Sequence, residues 1–167
     1  MKIVVDLDGV LRDLNTYLYT NYGVPYPINW TWKHEDKDIF EWVKEDDYLA
    51  LLEAPETPFC AVIRTYIEDL ELWTCQPLEW RENTYQWINN HIGRCKIRFL
   101  NTYEKQERLD FLIDHLLIED SPNFTNYSRI ILIDQPYNRH LDVPHRIYSP
   151  KELKDVFKMQ GSEQHKP

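Results

Sequence analysis

The chain has 167 residues, 43% of them hydrophobic and 28% charged, which suits one ordinary domain or one domain with a modest insertion and excludes a disordered or fibrous protein. Its 28 acidic against 19 basic residues give a net charge of −9, which argues against a protein that grips long nucleic acid through phosphates. A small phosphorylated substrate stays compatible, because one Lys, one Arg and a metal ion can make a site locally positive.

Ile3-Val4-Val5 is a β-branched run ending in Asp6-Leu7-Asp8-Gly9, a buried strand followed by a tight turn. Lys2 is followed by only three apolar residues before Asp6, so no secretory signal is expected there, and no apolar run is long enough for a membrane span. A cytoplasmic location is the default expectation. Leu11, Leu14, Leu18 and Tyr22 fall at helical spacing, closed by Gly23. After Pro25 and Pro27 come residues rich in aromatics and acids, with a helix around Ile39, Trp42 and Val43 and a shorter one around Tyr48, Leu51 and Leu52.

The stretch 54–58 reads as a linker, and Val62, Ile63, Tyr66 and Ile67 as a helix. Then follow a strand at 70–74, a helix at 79–92, a strand at 96–100, a helix at 104–112, a strand at 115–119 and a strand at 129–133. Ser121-Pro122 has the chemistry of an N-cap and first turn, so a helix is expected there. Ser149-Pro150-Lys151-Glu152 opens the last helix, and residues 161–167 read as a disordered tail. The alternation after residue 54 predicts an α/β fold, a Rossmann-like parallel sheet with helices on both faces. The core would comprise 1–13 and 71–160. Segment 14–70 would form a small helical cap, inserted after the first strand, with its return helix.

In such sheets ligands bind beyond the carboxyl ends of the strands, where Asp6, Asp8, Thr74, Glu119 and Asp120 are expected to gather. Asp-x-Asp-Gly alone is also ordinary turn chemistry. A second pair, Glu119-Asp120, ends another strand, and Lys105 lies in a polar stretch ahead of it. Carboxylates collected at one sheet edge repel one another unless a hard divalent cation sits among them. Mg²⁺ with a lysine nearby makes a phosphate site. A carboxylate can attack phosphorus, and a second one can protonate the leaving oxygen and later accept a proton from water. Cys60, Cys75 and Cys95 are odd in number and lack metal-ligand spacing, so reduced thiols are expected and structural zinc is not.

Asp6-Leu7-Asp8-Gly9-Val10-Leu11 resembles the first motif of the haloacid dehalogenase-like (HAD) superfamily, in its phosphatase form. Trp73-Thr74-Cys75-Gln76-Pro77, Asn101-Thr102-Tyr103-Glu104-Lys105, Leu116–Asp120 and Asp134–Arg139 extend the likeness, and the chain most resembles the 5'(3')-deoxyribonucleotidases. The resemblance implies Mg²⁺-dependent hydrolysis of nucleoside monophosphates through an aspartyl phosphate. It makes Asp6 the nucleophile and a Mg²⁺ ligand, and Asp8 the general acid/base that also ligates Mg²⁺ through its carbonyl. Thr74, or alternatively Cys75, would bind the phosphoryl group together with Lys105. Asp120 would ligate Mg²⁺, with Glu119 beside it, directly or through a water. Family members are often dimers, so a homodimer is a further expectation.

The cap rings Trp30, Trp32, Phe40 and Trp42 are candidates to stack a nucleobase, with Trp30 and Trp32 favoured; the competing reading is that they form the cap's own core. Arg12 either steers a phosphate or is a solvated surface charge. Asn138 and Arg139 order a loop over the site or serve structure alone. The alternatives are a phosphatase for another small metabolite such as a sugar phosphate, and a catalytically inactive nucleotide-binding relative. A phosphatase for nucleic-acid ends is disfavoured by the net charge.

Overall fold

The computed structural model describes residues 2–124 and 127–163. Six strands form one sheet: β1 (Lys2–Val5), β2 (Glu71–Thr74), β3 (Lys96–Phe99), β4 (His115–Glu119), β5 (Ile130–Ile133) and β6 (Arg146–Ile147). Every pairing is parallel and the order is β3-β2-β1-β4-β5-β6. The fold is therefore the expected Rossmann-like α/β architecture.

Among the described residues seven helices accompany the sheet: α1 (Leu14–Tyr22), α2 (Ile39–Glu45), α3 (Ala50–Glu53), α4 (Cys60–Tyr66), α5 (Arg81–His91), α6 (Thr102–Phe111) and α7 (Pro150–Glu163). Among the described residues no helix is long and apolar enough to cross a membrane.

The sheet is apolar on both faces, as a parallel sheet covered by helices must be. Val5, Leu72, Ile118, Ile131 and Ile133 pack with Ile63 of α4, Trp87 and Ile88 of α5, and Leu153 and Phe157 of α7. The alternate residues Val4, Trp73, Leu117, Ile130 and Leu132 pack with Leu109 of α6 and Phe124. A third cluster joins Leu14, Tyr17 and Leu18 of α1, Trp42 and Val43 of α2, and Ala50 and Leu51 of α3. Trp80, from beyond β2, completes it. Helix α4 thus belongs to the sheet's core, whereas α1–α3 share a small core of their own. Two connections join that cluster to the sheet side by side, with Asp13 N–H bonded to the Pro55 carbonyl (2.9 Å) and Thr57 N–H to that of Leu11 (2.8 Å).

Several local expectations need correction. Leu11 is not helical; α1 begins at Leu14, because the Asp13 carboxylate accepts the Thr16 amide (2.9 Å) and so caps the helix there. Ser121-Pro122 does not open a helix: residues 121–124 are irregular, and the Ser121 hydroxyl accepts the amide of Asn123 (3.2 Å), two residues on, which closes a turn. Residues 125–126 of that stretch lie outside the described residues. The two-residue β6 was not anticipated. Helix α7 runs to Glu163, into the segment expected to be a tail, of which 164–167 lie outside the described residues.

One buried charge locks the middle of the sheet. Glu71 accepts from Lys2 Nζ (2.5 Å), Trp73 Nε1 (2.9 Å) and Arg98 Nε (2.8 Å). Burial pushes its pKa up, but these three donors outweigh it and hold the carboxyl at about 2, against an ordinary 4.5. A depressed folded-state value means stability present above pH 4.5 and lost as the pH falls toward 2. Glu71→Gln is expected to cost about 1–3 kcal/mol at neutral pH. Denaturation curves of variant and wild type should converge on acidification through that window.

Candidate active site

The strand order reverses at β1. The chain steps outward from β1 to β2 and β3, then returns to β4 on the other side of β1. A crevice opens beyond the carboxyl ends of β1 and β4 at such a switch point. Asp6 follows β1, with its amide bonded to the Ile118 carbonyl (2.8 Å), and Glu119-Asp120 ends β4. Carboxylate oxygens of Asp6, Glu119 and Asp120 lie within 4.8 Å of one another, all three residues buried.

Lys105 enters this cluster from the first turn of α6. Asn101 and Glu104 cap that helix reciprocally, Asn101 Oδ1 accepting the Glu104 amide (2.9 Å) and Glu104 Oε2 the Asn101 amide (2.8 Å). The cap sets the helix start and hence the direction of Lys105, whose ammonium donates to Asp6 Oδ1 (2.6 Å) and Glu119 Oε2 (2.8 Å).

Three carboxylates against one ammonium leave this buried site with an excess of negative charge. The strain is visible in protonation. Burial, then the Glu119 charge, push Asp6 from 3.8 up to about 8 despite Lys105 beside it. Burial, Glu119 and Asp6 likewise raise Asp120. Burial opposes the Lys105 charge, yet Asp6 and Glu119 raise its pKa. The donors are all hard oxygens and the charge surplus is what a divalent cation would discharge, so the residues fit a hard divalent ion.

The oxygens are not equally free. Glu119 Oε2 is taken by Lys105, and Oε1 accepts the amides of Asp120 (3.1 Å) and Ser121 (3.2 Å). Glu119 therefore fixes Lys105 and the turn after β4. Asp120 Oδ2 accepts from the Tyr137 hydroxyl, and its main-chain carbonyl accepts from Asn138 Nδ2 (2.8 Å). Gly9, at φ +82°, lies so close that a Cβ there would stand 1.9 Å from Asp120 Oδ2.

A cavity of about 270 Å³ rises from this cluster. Asp6, Asp8, Thr74, Cys75, Lys105, Glu119 and Asp120 line it, as do Trp30, Trp32 and Phe40. Both candidates of the second motif are thus present, Thr74 buried at the end of β2 and Cys75 exposed beside it. Trp42 is not among the lining residues. It is buried in the core of α1–α3, its ring against His34, so it belongs to the cap's packing.

Arg12 is neither a phosphate-steering group nor a surface charge. It is fully buried, grips Asp8 with two nitrogens (Nε–Oδ1 2.7 Å, Nη2–Oδ2 3.1 Å), and donates to the Leu51 carbonyl of α3 (2.8 Å) and the Thr84 hydroxyl (3.3 Å). Its guanidinium lies 5.6 Å from the ring centre of Trp87. Gln76 Nε2 adds a bond to Asp8 Oδ2 (2.5 Å) and is itself held by Thr84 (2.8 Å). Asn138 is buried and structural, while Arg139 is exposed and pairs with Asp134 (3.0 Å).

Sequence reasoning missed Gln76, Thr84, Gln135 and Tyr137. The Gln-Pro-Tyr-Asn run held the only signal for the last two: Pro136 and the reciprocal bonds of Gln135 and Asn138 build a rigid 3-10 turn that presses Tyr137 against Asp120. No family model and no curated protein matches the chain.

Proposed function

We propose that the protein is a phosphomonoesterase that uses a divalent cation, magnesium, and acts on nucleoside monophosphates, as the resemblance to the deoxyribonucleotidases implies. The observation that supports this most is the buried Asp6–Lys105–Glu119 chain beside Asp120, at the foot of a cavity whose other walls carry Trp30, Trp32 and Phe40. A site with hard oxygen ligands below and aromatic rings above suits a ligand with a phosphate at one end and a flat base at the other.

Asp6 and Asp120 would hold the cation, which when bound would neutralise charge on the phosphate oxygens. Asp6 attacks phosphorus, forming a carboxyl–phosphate bond as the ester P–O bond breaks. Asp8, oriented by Arg12 and Gln76, acts as the general acid/base: it takes up a proton from solvent, to which it is partly exposed, and passes it to the departing oxygen. Water then attacks the acyl phosphate, Asp8 takes its proton, and inorganic phosphate leaves. Lys105 and Thr74 bind the phosphoryl oxygens. The preference for deoxyribonucleotides comes from the resemblance alone.

The test is phosphate release from ribo- and deoxyribonucleoside 5'- and 3'-monophosphates and from sugar phosphates, with Mg²⁺ or EDTA. Cation-dependent release from nucleotides, lost at least a thousandfold in Asp6→Asn, is expected. Release from sugar phosphates alone would overturn the substrate class, and release from nothing would overturn the reaction. Loss of activity in this variant is expected without misfolding, which its unfolding curve in EDTA checks. Because the metal-free site drives Asp6 toward the neutral form, wild-type stability in EDTA should fall as the pH rises from about 4 toward 8. Asp6→Asn should flatten that fall and gain about 1–2 kcal/mol at pH 8.

A further inference from the structure

Trp30 lies in the segment between α1 and α2, and Tyr137 in the 3-10 turn after β5. Their ring centres are 5.6 Å apart in an edge-on arrangement, 64° between planes. Trp30 is half exposed and Tyr137 is buried, and both line the cavity. Tyr137 therefore does two things at once. Its ring receives the cap-side Trp30, and its hydroxyl donates to Oδ2 of Asp120.

Its surroundings make this a fixed strut. The neighbouring Asn138 donates Nδ2 both to the Asp120 carbonyl (2.8 Å) and to that of Ile133 (2.8 Å). Gln135 Nε2 reaches the Gly9 carbonyl (3.1 Å). The residues on either side of Tyr137 are thus tied by their side chains to the two turns that meet at Asp120, Gln135 to the one after β1 and Asn138 to the one after β4. Only the ring's own torsions are left, and Trp30 bears on the ring.

We propose that Tyr137 is a positioning residue that couples the cap to the cation: it holds the Asp120 carboxylate in its ligating orientation, and Trp30 holds Tyr137. An aspartate's terminal torsion is soft, so an unbraced carboxylate rotates freely. With Oδ2 bound to the phenol, Oδ1 would be the oxygen left to hold the ion. The coupling is reciprocal by thermodynamic necessity. Whatever Trp30 adds to cation affinity, the cation returns as seating of the Trp30 segment. This inference rests on the cation site of the proposed function.

The experiment is calorimetric titration of the substrate-free protein with Mg²⁺, for wild type, Tyr137→Phe, Trp30→Ala and the double variant. Tyr137→Phe keeps the ring and removes only the hydroxyl, and thermal unfolding in EDTA checks its fold. It is expected to weaken Mg²⁺ binding about tenfold, the usual scale for a partner that orients a metal ligand. Trp30→Ala is expected to weaken it about threefold in the wild type and not further in the Tyr137→Phe background. Hydrogen exchange of residues 27–32 should slow on adding Mg²⁺ in the wild type and not in Tyr137→Phe.

Wild-type affinity in Tyr137→Phe, or an equal effect of Trp30→Ala in both backgrounds, would overturn the coupling while leaving the proposed function intact. A wild type that binds Mg²⁺ with these couplings yet releases no phosphate would overturn the function and leave the coupling. A wild type that binds no Mg²⁺ would overturn both.

Discussion

Replacing Asp8 with asparagine is expected to lower the unfolding free energy by about 3 kcal/mol or more, although Asp8 itself is a quarter exposed. The cost lies with Arg12. Its side chain is fully buried, and Asp8 is the only carboxylate that pairs with it among the described residues. Asparagine offers one neutral oxygen where two charged ones stood. The guanidinium would then keep that one neutral oxygen, the Leu51 carbonyl, the Thr84 hydroxyl and the face of Trp87, with no carboxylate to offset its buried charge. Breaking a buried pair from one side leaves an uncompensated charge, the costly case.

Urea denaturation of wild type, Asp8→Asn, Arg12→Met and the double variant measures this. The double variant should be more stable than the sum of the single losses predicts, because no orphan charge remains. An Asp8→Asn protein within 0.5 kcal/mol of wild type would sink the argument. The two aspartates of one tripeptide thus differ in sign. Neutralising Asp6 relieves the metal-free fold, and neutralising Asp8 damages it.

Gly9→Ala is expected to abolish tight cation binding, by a hundredfold or more, and to cost about 2–3 kcal/mol. The new methyl would meet Asp120 Oδ2 at 1.9 Å and Cγ at 2.6 Å, distances that require a shift. Neither side can yield easily. Asp120 is tied through Tyr137 and Asn138, and Gly9 is held by its amide on the Arg12 carbonyl (2.9 Å) and by Gln135 on its own carbonyl. A φ of +82° adds backbone strain for any L-residue. Gly23→Ala is the control, since Gly23 has φ +69° and nothing within 4 Å of a Cβ. It should cost about 1–2 kcal/mol from conformation alone and leave Mg²⁺ affinity unchanged. Equal affinities for both alanine variants would show that the close approach of Gly9 does not matter.

The sheet was largely legible in the sequence because its inner strands carry short buried apolar runs, unbroken at Ile130–Ile133, and because strand and helix patterns alternate after them. β6 was not, since two residues carry no period. Ser121 failed as a helix signal because a hydroxyl before proline serves a local turn as readily as a cap. The acidic cluster was legible because strand ends converge in an open parallel sheet whatever the loops do. Arg12 was opaque for the opposite reason. Its environment is made by Leu51 of α3 and by Thr84 and Trp87 of α5, two helices later in the chain, and nothing near Arg12 announces them. Trp42 and Trp30 also look alike in sequence. One fills the core of α1–α3 and the other faces the cavity, a difference decided by packing alone.

The central place of β1 sets the order in which the molecule can be assembled. Val4 pairs with Glu71 on one side and Leu117 on the other, so both hydrogen-bonded edges of this strand wait on distant segments. Local helices such as α1 can form early, but they cannot shelter Val4 and Val5. Closing such long loops costs entropy before any contact repays it, and sheets of this kind fold slowly. During synthesis β1 is made before the other five strands of this sheet and gains its second partner only after β4 has been made. Until then at least one of its edges is unpaired, a template for pairing with another copy.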